Sequence, residues 1–134
     1  MTSLKEIEGI GPQYARQLAA AGVRSTEALL KLGATKKGRK ELEVKTGIGH
    51  KSLLEWVNLA DLFRVPGVGE QYSDLLEEAG VDTVLELSIR KPDALTEKLM
   101  KINTAKNLVN RPPSAKVVAK WIKAAQKLKR VVEY

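Results

Sequence analysis

Apolar residues recur every three or four positions through most of the chain, and no β-branched run alternates with polar residues, so the pattern predicts an all-helical protein without strands. Pro12 opens a helix that runs to Ala21, and Gly22 supplies its left-handed exit. Ser25 or Thr26 caps a second helix through Leu32, ended by Gly33. Thr35 caps a basic helix over Lys36 to Thr46, weakened at Gly38. Gly47-Ile48-Gly49 then breaks the chain before a helix from His50 to Phe63, with Leu53, Leu54, Val57, Ala60 and Leu62 on one side. The second half repeats the plan with helices over Glu70 to Ala79 and Thr83 to Ile89, one opened by Pro92, and a last one over Ser114 to Arg130. The pattern defines no element over Asn103 to Pro113.

The two halves also match residue by residue. A shift of 58 superimposes Ile7-Glu-Gly-Ile-Gly-Pro-Gln-Tyr14 on Val65-Pro-Gly-Val-Gly-Glu-Gln-Tyr72, and carries Leu18 onto Leu76 and Ala21-Gly-Val23 onto Ala79-Gly-Val81. A shift of 65 pairs Lys51 with Lys116, Trp56 with Trp121, Val57 with Ile122 and Ala60 with Ala125. The second copy therefore contains a short insertion between these anchors. The expected organisation is a first repeat over residues 1–64 and a second over 65–134, packed as one globular unit.

Each half begins with apolar-x-Gly-apolar-Gly followed by a small residue four positions on, complete in the first copy as Ile7, Gly9, Ile10, Gly11, Ala15 and Leu18. This resembles the helix-hairpin-helix motif. The glycines permit backbone angles closed to other residues, Ile10 plugs the bend into the core, and Ala15 lets the helices approach. Amides opening the following helix can then hold an anion such as a DNA phosphate. Main-chain donors read no base identity, so the resemblance implies sequence-independent binding, with Gly9, Ile10, Gly11, Gln13 and Arg16 as its first contacts. It also implies a monovalent cation on the carbonyls of the Gly9 to Gly11 hairpin in some relatives; no other cofactor is expected. Glu70 and Asp74 stand where a phosphate would approach the second hairpin, and Lys45-Thr-Gly47-Ile-Gly49-His50-Lys51 is a looser third match. Arg111-Pro-Pro-Ser114 occupies the equivalent place in the second copy without the glycines. For every one of these bends, a tight connection serving only helix packing is the alternative.

Over its whole length the sequence is similar to a bacterial family of tandem helix-hairpin-helix proteins that carries a domain-of-unknown-function label. The stretches that carry the resemblance are Ile7-Glu-Gly-Ile-Gly-Pro, Lys37-Gly-Arg-Lys-Glu-Leu, Lys45-Thr-Gly-Ile, Leu54-Glu-Trp-Val-Asn-Leu-Ala-Asp-Leu, Gly80-Val-Asp-Thr-Val and Arg111-Pro-Pro-Ser. It implies a compact bundle of short helices built from two duplicated helix-hairpin-helix (SAM-like) units. Some members are labelled flap-endonuclease-like.

Charge sharpens the picture. The chain is +7 overall, distributed as +1 over residues 1–34, +3 over 35–64, −6 over 65–97 and +9 over 98–134. Lys116, Lys120, Lys123, Lys127 and Arg130 fall at steps of four and three, which places a cationic ridge on one face of the last helix. Lys36, Lys37, Arg39 and Lys40 form a second cluster near Gly47, diluted by Glu41 and Glu43. Trp56 and Trp121 are expected as core anchors and Tyr14 and Tyr72 as packing behind the hairpins, and with 4% aromatic residues no single-strand stacking platform is expected. With no cysteine and one histidine, thiol catalysis and multi-histidine metal sites are excluded. The acids show no converging set of the kind a metal-dependent nuclease needs, so no catalytic or metal-ligating residue is assigned and the chain is read as a non-enzyme. Neither a membrane span nor a signal-peptide apolar block is visible, which leads to the expectation of a cytoplasmic protein without membrane partners.

The resulting expectation is non-specific binding of DNA, duplex or branched, or of other nucleic acid, by Gly9, Ile10, Gly11, Gln13 and Arg16, Lys36, Lys37, Arg39 and Lys40, Gly47, Gly49 and Lys51, and Lys116, Lys120, Lys123, Lys127 and Arg130. The alternative is a protein-interaction or scaffold module whose polarised second half drives association with a protein partner or with itself. The oligomeric state is left open.

Overall fold

The computed structural model describes residues 2–7 and 9–133, with Glu70 described by its backbone alone. Among the described residues the chain forms eight α-helices and no strand: α1 (Pro12–Ala20), α2 (Thr26–Gly33), α3 (Lys36–Thr46), α4 (His50–Leu62), α5 (Gly69–Glu78), α6 (Val84–Ser88), α7 (Pro92–Lys106) and α8 (Ala115–Lys127). They fall into two compact units, residues 1–61 with 131–134, and residues 62–130.

In the first unit a short 3-10 turn, Leu4–Glu6, precedes α1 and packs on it. Two hydrogen bonds tie the N-terminal segment to α2: the Thr26 N–H donates to the Thr2 carbonyl at 3.0 Å, and the Thr2 N–H donates to the Glu27 carboxylate at 2.8 Å. Ser25 caps α2 by accepting from the Ala28 N–H, and Thr35 caps α3 by accepting from the Gly38 N–H. Each hydroxyl satisfies one of the donors that a helix start leaves without an intrahelical partner. The corner from α2 into α3 is tight. A Cβ on Gly38 would lie 2.0 Å from the Leu32 carbonyl oxygen, so the glycine in this basic helix serves close approach.

The core of this unit gathers Leu4, Ile7, Ile10, Leu18, Val23, Leu29, Leu42, Leu53, Trp56 and Val57, and residues 131–133 belong to the same unit. Val132 is 2% exposed. Beside it the Glu133 N–H donates to the Ala34 carbonyl at 2.6 Å, and the Glu133 carboxylate accepts from the Lys36 N–H at 3.4 Å.

In the second unit α8 packs against α6 and α7, and α5 against α7. Lys106 Nζ lies 2.6 Å from the Glu78 carboxylate, joining α7 to α5, and the Gln126 amide donates to the Ser88 carbonyl, joining α8 to α6. The stretch after α7, undefined by the sequence pattern, is ordered by one buried side chain. Asn103 accepts from the Val109 N–H at 2.9 Å and donates to its carbonyl at 3.0 Å, which replaces the pairing a strand would have supplied. Helix α8 ends at Lys127, three residues earlier than expected, where Leu128 turns extended (φ −75°, ψ 136°) and the Arg64 guanidinium donates to the Lys129 carbonyl.

Candidate nucleic-acid interface

The first bend owes its shape to Gly9, whose φ of +94° a side-chain-bearing residue rarely adopts. A Cβ there would also sit 3.2 Å from the Trp56 indole nitrogen, so the bend rests directly on that ring. Ile10 is buried beneath the turn and its N–H is taken by the Ile7 carbonyl at 3.1 Å. Gly11 is the N-cap of α1, extended at φ −82° and ψ −177°, and its carbonyl accepts from the Ala15 N–H. No side chain caps this helix, Pro12 has no N–H, and nothing lies within 4 Å of the Cβ position on Gly11. Gln13 and Arg16 are exposed just beyond. This leaves the amides of the α1 first turn at an open helix start with no acid in that turn, where the helix dipole favours an anion.

The third bend is built alike. Gly47 caps α3 in the left-handed region and spends its N–H on the Glu43 carbonyl, while the Ile48 N–H donates to Thr46 Oγ1. Ile48 is buried, Gly49 accepts from the Leu53 N–H, and His50 and Lys51 are exposed at the start of α4.

The second bend departs from the first. Gly67 rests on Trp121, with a Cβ position 3.1 Å from the indole nitrogen, and Val68 is buried like Ile10. Here α5 begins at Gly69 itself, with φ +55°, behind a Val68 N-cap already in helical conformation. The Glu70 carboxylate, expected to oppose phosphate, lies outside the described residues; α5 also carries Asp74, Glu77 and Glu78. At the fourth place Ser114 caps α8 by accepting from the Val117 N–H, so that helix start is closed by its own side chain.

The cations divide. Lys36, Lys37 and Lys40 are exposed on α3, where Lys37, Lys40, Glu41, Val44 and Lys45 line an open depression of about 420 Å³. Arg39 corrects the sequence reading: it is 1% exposed, and its guanidinium donates to the Gly33 carbonyl at 2.7 Å, the Ala34 carbonyl at 3.1 Å and the Glu133 carbonyl. The end of α2 leaves the Gly33 and Ala34 carbonyls without helical partners, and a planar fork of donors fits them. The signal was readable, because Arg39 stands three residues before buried Leu42 and so shares the inward face. Ile10 is a second correction, since neither its side chain nor its amide is open to a ligand. On α8, Lys116, Lys120, Lys123 and Lys127 are exposed along one face, but Arg130 lies beyond the helix end and does not extend the ridge.

Trp56 and Trp121 are buried as expected. Tyr14 is not packed away. It meets Trp56 with ring centroids 5.2 Å apart yet remains 43% exposed, whereas Tyr72, 5.0 Å from Trp121, is half-buried and its hydroxyl donates to the Arg111 carbonyl.

Residues 8–128 match the model of a family described as a domain of unknown function, DUF4332. The chain belongs to the DUF4332 family. No curated protein and no solved structure matches it. Among the described residues of this DUF4332 chain, no three His, Asp or Glu side chains come together to hold a metal ion, and no helix is long and apolar enough to cross a membrane.

Proposed function

We propose that this DUF4332 chain is a sequence-independent DNA-binding protein built from two helix-hairpin-helix units, acting by binding alone. The observation that carries the reading is the open N-terminus of α1 at Gly11, without a side-chain cap and with no acid in its first turn. Gly49, His50 and Lys51 at the start of α4 offer a second phosphate contact within the first unit. Lys36, Lys37 and Lys40 on α3, and Lys116, Lys120, Lys123 and Lys127 on α8, supply further cations to a polyanion. The correspondence of Gly9 over Trp56 with Gly67 over Trp121 supports the two-unit reading, while the altered start of α5 favours phosphate at the first hairpin over the second.

Contacts to phosphate are expected to dominate, so affinity should depend on salt and not on base sequence. With roughly four phosphates neutralised, log affinity falls against log salt with a slope near ~ −3.6. Titrations of unrelated duplexes at several salt concentrations, run beside a Gly11→Glu variant, test this. Sequence-dependent affinity, or absence of binding at low salt, rejects it.

A second reading has its own observation. Leu85 on α6 and Ile89 at its C-cap are 53% and 67% exposed, and Val44 stands out from α3, which favours a protein partner on those faces. Purified protein that forms a discrete complex with another protein and ignores nucleic acid selects this reading.

A further inference from the structure

We infer that Tyr14 is a nucleotide-contacting residue whose ring stacks on an unpaired base beside the phosphate held at the first hairpin, so that the first unit prefers single-stranded DNA over a blunt duplex. The inference rests on the DNA-binding reading and goes beyond it by naming the nucleic-acid form. Its basis is the difference between two residues in corresponding places. Both tyrosines lean on the tryptophan beneath their hairpin at nearly the same distance and tilt, 58° for Tyr14 and 52° for Tyr72.

Only Tyr72 is tied down. Seven residues separate the Asn107 cap of α7 from α8, and this longer connection brings the Arg111 carbonyl onto the Tyr72 hydroxyl. Two residues separate the Gly47 cap of α3 from α4, too short a link to cover Tyr14 in the same way. The exposed ring also sits on the third residue of α1, in the same turn as the open amides and next to exposed Gln13 and Arg16, whereas α5 carries Asp74, Glu77 and Glu78. An aromatic face beside a phosphate site is the arrangement that holds unpaired bases, since each base offers a π-face whatever its identity. A blunt duplex keeps its bases stacked internally and offers the ring little.

The test compares a labelled oligothymidylate with a blunt duplex of equal length, by fluorescence anisotropy with the full chain. Tyr14→Ala is expected to weaken oligothymidylate binding about tenfold and duplex binding less than about twofold, while Tyr14→Phe stays within about twofold on both. Tyr14→Leu, which keeps bulk against Trp56 without a π-face, should behave as Tyr14→Ala does even if the smaller variant folds poorly. Undiminished oligothymidylate binding by the leucine variant, or an equal loss on both substrates, overturns the role of the ring and leaves the phosphate reading standing. Failure of the unaltered chain to bind either substrate overturns both.

Discussion

Arg39 and Lys40 are adjacent cations with opposite positions: one lies under the α2–α3 corner and the other in solvent. Arg39 donates to three carbonyls, and truncating it leaves the buried Gly33 carbonyl without that donor, at a cost on the order of 1–3 kcal/mol, while the Ala34 carbonyl keeps the Glu133 N–H. Arg39→Ala should therefore lower unfolding free energy by roughly 3 kcal/mol. Lys40→Ala should stay within about 0.5 kcal/mol and lower DNA affinity instead. Urea unfolding and salt-controlled binding of the two variants separate the roles, and equal stabilities would show that the buried guanidinium holds nothing together. Sequence alone grouped both residues because a run of four cations within five positions outweighs, on inspection, the helical register that buries one of them.

At the scale of elements, the helices with strong local signals were the legible ones. The expected bounds of α3 match because a threonine cap and a glycine exit are both local, and α4 differs at one end by a single residue. Elements held by distant partners were not legible. Asn103 orders Val109 through two side-chain hydrogen bonds that no periodicity announces, and α8 stops early where Arg64 reaches the Lys129 carbonyl. The candidate site divides in the same way: the glycine bends were visible, while the exposure of Tyr14 depends on the length of a connection far along the chain. The N-terminal segment is another non-local tie. The Thr2 N–H, as the largest cause, holds the Glu27 carboxyl below its ordinary value of 4.5. A depressed folded value means that this contact stabilises fully above the unfolded value and is lost as pH falls through the folded one. Unaltered protein should thus melt slightly above Glu27→Gln at neutral pH, with the gap closing in strong acid. Thermal melts across that range check it, and a gap independent of pH would remove Glu27 as its source.

At the scale of the whole molecule, the chain does not divide at a single point, because residues 131–133 return to the unit that begins at the N-terminus. Their contacts are concentrated: buried Val132, the Glu133 backbone against Ala34 and Arg39, and the Glu133 carboxylate against the Lys36 amide. Placing a charge at Val132 puts it at a buried apolar position of the first unit. A buried, unpaired carboxylate is among the costliest single changes. Hydrogen exchange resolved by peptide should therefore show Val132→Asp losing protection across α2 and α3 far more than across α7 and α8. Loss confined to α7 and α8 would place the closing segment with the wrong unit. Uniform loss would mean that the two units unfold as one.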